Sequence, residues 1–384
     1  MQDLRLMKMA QVIVRYSLNV QAGNLVWMTG EIGGLPLMEA IYEELICAGA
    51  HVKTTIMPAN WEAIFLKHAS FQQLKHTCPF TLNEATLCDK RIKVIGPTNT
   101  RGLSNIEPYK QAMVSKAFQP ILSKILNRSA TQELDWVVTL CPTHSGAQEG
   151  NMGTREYEDF VFNAACLDEE DPIAYMLQME RQQQKIIDYM AGKKELHFKT
   201  PFGTDLRVNI EGMVWRNSCG KRNYPDGEVF TGPNLNATDG GVNGEVHFTY
   251  PAIWQNKVVE GVKLIFEMGR VVDAKATRNE SFLKTILEQD EGASRLGEIA
   301  IGTNYKIKDF TQNILFDEKI GGTFHAALGM GYPETGNTNQ SALHWDMICD
   351  LREGGALLVD GEMISKDGIF LFPDWPAPCT PGAY

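Results

Sequence analysis

The sequence contains no CxxC pair, no basic block, no long uncharged apolar run and no low-complexity stretch. Its eight cysteines stand singly with no disulfide-like spacing, so a disulfide framework is excluded and a reducing, cytoplasmic setting is expected. With no clustered Lys or Arg and a net charge of -11, the chain lacks the surface that grips phosphate backbones, and no nucleic-acid partner is expected. No apolar run approaches bilayer length. The opening MQDLRLMKMAQVIVRYSL sets charges between Leu6, Met9, Ile13 and Tyr16 at helical spacing, unlike the uninterrupted apolar core of a signal peptide. No membrane partner follows, and the N-x-S/T matches at Asn127, Asn236, Asn279 and Asn339 read as chance. The Walker, G-x-S-x-G and H-E-x-x-H patterns are missing too, which removes the most easily read nucleotide, serine-hydrolase and zincin chemistries.

What remains is an ordinary globular composition, 43% apolar and 22% charged over 384 residues, long enough for two domains. The first half alternates strand and helix. LVWMT (25–29) leads through GEIGG into a helical stretch with Pro36 in its first turn and Gly49 as its stop; HVKTTIM, RIKVIG and LDWVVTL are further strands. That alternation is the pattern of a parallel sheet covered by helices. The GEIGG turn lacks the G-x-G-x-x-G spacing of a dinucleotide cradle and reads as a plain strand-to-helix turn. A long helix follows, capped by Asp171 and Pro172 and closed at Gly192. From Leu196 onward hairpins take over, with Asp-Gly turns at 360–361 and 367–368. The expected fold is an α/β domain with a parallel sheet over 1–193 and a mainly antiparallel, β-rich (α+β) catalytic domain over 194–384.

The chemistry concentrates in the second half. In LHWDMI a strand would place His344 and Asp346, two residues apart, on one face, where an imidazole and a carboxylate can converge on a cation. His325 can join from the preceding segment. Taken alone, the H-x-D pattern reads more readily as a capped core histidine beside a surface acid. Other segments add acids in unusually apolar frames: Glu228 after a Pro-Asp-Gly turn, Glu298 in RLGEIAIG, and Asp317 and Glu318 ahead of His325. Carboxylates that bridge and neutralise, with imidazoles completing the shells, suit a pair of divalent ions that hold and acidify a water.

NYPDGEVFTGP, RLGEIAIG, DEKIGGTFHAALGMGYP and NQSALHWD, in this order, resemble the signature blocks of the thermophilic metalloaminopeptidases, the aminopeptidase T and aminopeptidase S group. The likeness reaches upstream through AQEGNMGTREYEDFVFNAACL to IVRYSLNVQAGNLVWMTG and covers nearly the whole chain. The resemblance implies two divalent ions per chain (Zn, Co, Mn or Mg) held by Glu228, Glu298, Glu318, His325, His344 and Asp346, with Glu298 bridging. It further implies Tyr332 beside the metals, peptides with a free N-terminus as substrates, and a homodimer. In the hydrolysis it implies, Glu318 is the first choice as proton shuttle and Glu298 the second, while Tyr332 steadies the developing negative charge. A different class stays open. His325, His344 and Asp346 also form a two-histidine, one-carboxylate set able to hold non-haem Fe(II), and ring-cleaving 2,5-dihydroxypyridine dioxygenases resemble the same family.

Overall fold

The structure is a computed structural model that describes residues 3–373 except 256, together with 375. Two compact units divide the chain: Met1–Met176 with Gly220–Pro225, and Leu177–Cys219 with Asp226–Tyr384. The division falls inside the helix Pro172–Met190, whose N-terminus Asp171 caps by accepting a hydrogen bond from the Ala174 N–H at 3.0 Å. Among the described residues no helix is long and apolar enough to cross a membrane.

The first unit is built on a five-stranded parallel sheet in the order His51–Met57, Leu25–Glu31, Lys90–Ile95, Asp135–Leu140 and Asn223–Tyr224. Helices Leu35–Cys47, Pro79–Leu87 and Pro108–Ala130 lie between successive strands, the crossover connection that parallel neighbours require. Pro36 stands in the first turn of Leu35–Cys47, and Gly49, with φ +79°, ends the helical run. The GEIGG turn is packed backbone against backbone. A Cβ on Gly33 would meet the Gly96 carbonyl oxygen at 2.4 Å, and one on Gly96 would meet Gly34 N at 2.3 Å.

In the second unit one antiparallel sheet has eight strands and another has five, with a separate two-stranded ribbon formed by Ala252–Trp254 and Lys257–Val259. The Asp-Gly pairs form the hairpin turns read from the sequence: Asp360 and Gly361 have φ +50° and +83°, Asp367 and Gly368 +51° and +74°, the positive angles such turns demand. The five-stranded sheet runs His344–Asp350, Thr323–Gly329, Leu296–Gly302, Glu228–Thr231 and Arg216–Ser218. Its two faces differ completely in chemistry. Ile299, Ile301, Phe324, Ala326, Trp345, Met347 and Val229 point into a core shared with Leu196, Phe198, Leu206 and Val208 of the larger sheet, and the rings of Phe198 and Phe324 stack at 4.1 Å. Each buried Val, Leu, Ile, Phe or Met among them contributes ~1.5–3 kcal/mol. The residues between them, at the alternating positions, face the other way, and they include the acids and histidines of interest.

One irregularity makes that sorting possible. Leu296 and Glu298 are two residues apart and would share a face on a regular strand, yet Leu296 belongs to the core and Glu298 does not. A bulge at Gly297 shifts the register, so that Leu296 pairs with Leu328 and Glu298 with Ala327. Gly297 is required by close approach: a Cβ there would lie 2.2 Å from the Met330 carbonyl oxygen and 2.4 Å from that of Gly329.

Candidate metal centre

Five of the six expected ligands are set by strand register on this one face. Glu298, Ala327 and Asp346 are directly aligned across three strands; His325 sits opposite Ala300 and Ile348, His344 opposite Gly329, and Glu228 opposite Gly302. His344 and Asp346 thus share a face of one strand, while Trp345 between them is buried on the other. Glu318 comes from the turn after the short helix Ile314–Asp317.

The charged atoms converge. His325 Nε2 lies 3.6 Å from Glu228 Oε2, 3.8 Å from Glu298 Oε1 and 3.9 Å from Asp346 Oδ1; His344 Nε2 lies 3.4 Å from Glu298 Oε2 and 3.6 Å from Asp346 Oδ1. These are poor hydrogen-bond distances. Ligand atoms ~2.1 Å from one ion in a tetrahedral shell stand ~3.4 Å apart, so the spacing suits a cation between them. Two triads can hold one each: Glu298, His344 and Asp346, and Glu318, His325 and Asp346. Asp346 belongs to both. Glu298 turns one oxygen toward each imidazole, the disposition of a bridging carboxylate.

The imidazoles are oriented from behind. His325 Nδ1 faces the Glu318 carbonyl at 3.0 Å and His344 Nδ1 faces the Met330 carbonyl at 2.9 Å. A carbonyl only accepts, so each Nδ1 carries hydrogen and each Nε2 is turned toward the carboxylates as a ligand atom. Glu228 Oε2 and Asp346 Oδ1 are buried and accept no hydrogen bond among the described residues. Orphan anionic oxygens facing imidazole nitrogens fit a bound cation. Behind Glu228, the buried Gln183 side chain donates to the Ser218 and Glu228 carbonyls at 2.8 and 2.5 Å, fixing the start of the strand.

The crowding of acids and imidazoles shifts their titration strongly, and a bound cation would displace the protons so held. Burial pushes Glu228 up to about 8, against the pull of Lys319, and pushes Asp346 up to about 6. Glu298 goes the other way, to about 2, because the two imidazoles beside it, His325 and His344, outweigh its burial. Both histidines are raised, to about 9 and about 10, since the carboxylates around them outweigh burial. Tyr332 packs edge-on against His344 at 5.2 Å and against Phe230 at 5.6 Å. Burial, then the charges of Glu298, Asp346, Glu318 and Glu228, drive its phenol pKa up, so it stays an O–H donor at neutral pH.

Sequence reasoning missed Lys319. It is fully buried, ion-paired to Glu318 and 3.5 Å from Glu228 Oε1. Burial would strip its proton, but Glu228, Glu318 and Asp226 hold it cationic. The signal lay in DEKIGG, a lysine set into an apolar frame directly after two acids. Asp317, by contrast, is not drawn into the cluster through its Oδ1, which accepts from Thr311 N–H at 2.7 Å and Thr311 Oγ1 at 2.9 Å.

Residues 2–370 match the family model described as thermophilic metalloprotease (M29). The chain belongs to the M29 metalloprotease family. It is therefore a hydrolase, and as a metalloprotease of this family it calls for divalent metal, which the clustered carboxylates and imidazoles can supply with ligands. Aminopeptidase 2 of Geobacillus stearothermophilus is 28% identical, covering 96% of this chain and 97% of that protein. AmpT from Thermus thermophilus has the same fold, with a TM-score of 0.83 at 23% identity over 96% of this chain and 99% of that one. The 2,5-dihydroxypyridine dioxygenase of Pseudomonas putida shares the M29 fold more loosely, with a TM-score of 0.60 at 13% identity over 96% of this chain and 97% of its own.

Proposed function

We propose that this M29 hydrolase is an aminopeptidase that removes N-terminal residues from peptides, using two divalent ions held by Glu228, Glu298, Glu318, His325, His344 and Asp346. The observation that carries the reading is the sharing of ligands: Asp346 stands in both triads and Glu298 offers one oxygen to each histidine. Charge supports it as well: Glu228, Glu298, Glu318, Asp346 and buried Asp226 gather around the ammonium of Lys319, an excess of acid that bound cations would relieve. The names of the aminopeptidase relatives point the same way.

When bound, such ions polarise a scissile carbonyl and lower the pKa of a water that attacks it. Glu318 takes the proton of that water and delivers it to the leaving amine as the C–N bond breaks. Glu298 is less suited to the task, because both its oxygens already face imidazoles. Tyr332, kept protonated, donates a hydrogen bond to the oxyanion of the tetrahedral intermediate. A cytoplasmic location fits the free state of every described cysteine. A homodimer fits the apolar side chains that the first unit leaves in water, among them Trp61, Ile64, Phe71 and Phe80.

A mononuclear iron centre would need only His325, His344 and Asp346, and the acids beside them favour the peptidase. The test is release of p-nitroaniline from aminoacyl-p-nitroanilides, before and after chelation, beside oxygen uptake on dihydroxypyridines. Chelator-sensitive hydrolysis is expected. Oxygen uptake without hydrolysis would overturn the proposal.

A further inference from the structure

Beside the metal centre, and sharing His344 and Asp346 with it, opens a cleft of about 150 Å³. Its other walls come from the segments Pro251–Trp254 and Phe310–Ile314, from Asp317, and from Trp345 and Ile348 of the histidine strand. Side chains that normally seek the core are held half in water here: Trp254 and Phe310 are half-buried and Ile314 is 47% exposed. Folding does not require such a surface around a concavity; a ligand explains it.

The Phe310 wall is braced from behind. Its ring stacks on Tyr250 at 4.9 Å with the planes 10° apart, and the Tyr250 hydroxyl donates to Asp350 Oδ2 at 2.9 Å. Arg352 completes the brace, with Nη2 donating to both the Tyr250 oxygen and Asp350. On the opposite side Trp254 leans on Trp345 at 6.2 Å. Besides Asp346, which the cleft shares with the metal centre, the lining holds one acid, Asp317, occupied by the Thr311 N–H and hydroxyl and by the Asn313 backbone, so it is not free to pair with a ligand cation. Apart from Gln312 and the shared His344, the walls that remain are apolar and aromatic.

We infer that this cleft seats the side chain of the substrate's N-terminal residue and selects apolar groups of the size of leucine or phenylalanine. The inference rests on the aminopeptidase reading, since it is the shared His344 and Asp346 that place the cleft beside the reacting carbonyl. Size supports the choice: an apolar cavity of ~150 Å³ accepts benzene, the ring of phenylalanine. A hydrophobic pocket discriminates by roughly 10- to 200-fold for each methylene that it fills.

Ile314, at the exposed rim and outside the metal cluster, is the position to change. With metal-loaded enzyme, kcat/KM for leucyl- and phenylalanyl-p-nitroanilide should exceed that for alanyl-p-nitroanilide at least tenfold, and that for lysyl- or glutamyl-p-nitroanilide by more. Ile314→Trp, which fills the cleft, should collapse the phenylalanine-to-alanine ratio by tenfold or more through KM, and Ile314→Ala should widen tolerance for tryptophan. A preference for charged N-terminal residues, or a ratio untouched by Ile314→Trp, overturns the inference. If no aminoacyl substrate is cleaved, the peptidase reading fails and calorimetric titration with free phenylalanine decides the cleft separately. Binding that Ile314→Trp abolishes supports it, and no binding to the unaltered protein sinks it.

Discussion

Gly297→Ala adds one methyl group at the bulge that turns Glu298 toward the metal centre. The new carbon would lie 2.2 Å from the Met330 carbonyl oxygen and 2.4 Å from that of Gly329, far inside contact distance and against backbone that has little room to yield. The backbone at Gly297 lies outside the left-handed region, so the cost is steric alone. Overpacking of this kind costs ~1–3 kcal/mol. The damage should also reach the site, because the Met330 carbonyl is the group that holds His344 Nδ1 at 2.9 Å. Losing such an outer partner weakens metal binding ~10–100-fold. Guanidinium unfolding in the presence of chelator measures the first effect, and competition with a chelator of known affinity measures the second. Both should appear together. A variant that loses stability but binds metal normally would refute the claim that the bulge and the Met330 carbonyl set the geometry of Glu298 and His344.

Lys319→Met removes the buried cation between Glu228 and Glu318 and should cost ~3–5 kcal/mol in chelator-treated protein, part of which added divalent metal should restore; equal losses with and without metal would contradict the electrostatic role. Trp345→Phe, on the core face against Trp254 and Phe282, should lower stability by ~1–3 kcal/mol while metal content stays unchanged, and loss of metal would contradict the division of faces.

Much of this was legible in the sequence, and the reasons are local. His344 and Asp346 could be placed on one face because a strand has period two, and Asp360-Gly361 and Asp367-Gly368 could be read as turns because few other pairs tolerate their backbone angles. The parallel sheet followed from alternating elements whose propensities and patterns agree. Period two fails at Gly297, where Leu296 and Glu298 part company, because a bulge is decided by what lies across the sheet and not by the strand itself. Lys319 was passed over for a similar reason: DEKIGG shows a lysine after two acids, but Glu228 and Asp226, distant in sequence, complete with Glu318 the surroundings that keep it charged in the core. The cleft by the centre was beyond reach, since its walls come from segments around 251–254, 310–314 and 344–348 that only the tertiary fold assembles. The expected ligands were named through family resemblance, and the fold brings those six residues together.

The most direct measurement is the metal content of the purified protein and of its single variants, by elemental analysis after gel filtration with divalent metal. The account expects two ions per chain in the unaltered protein, about one in His344→Ala, and neither retained in Asp346→Ala, because Asp346 serves both triads. One ion per chain in the unaltered protein, or two ions still held by Asp346→Ala, would contradict it.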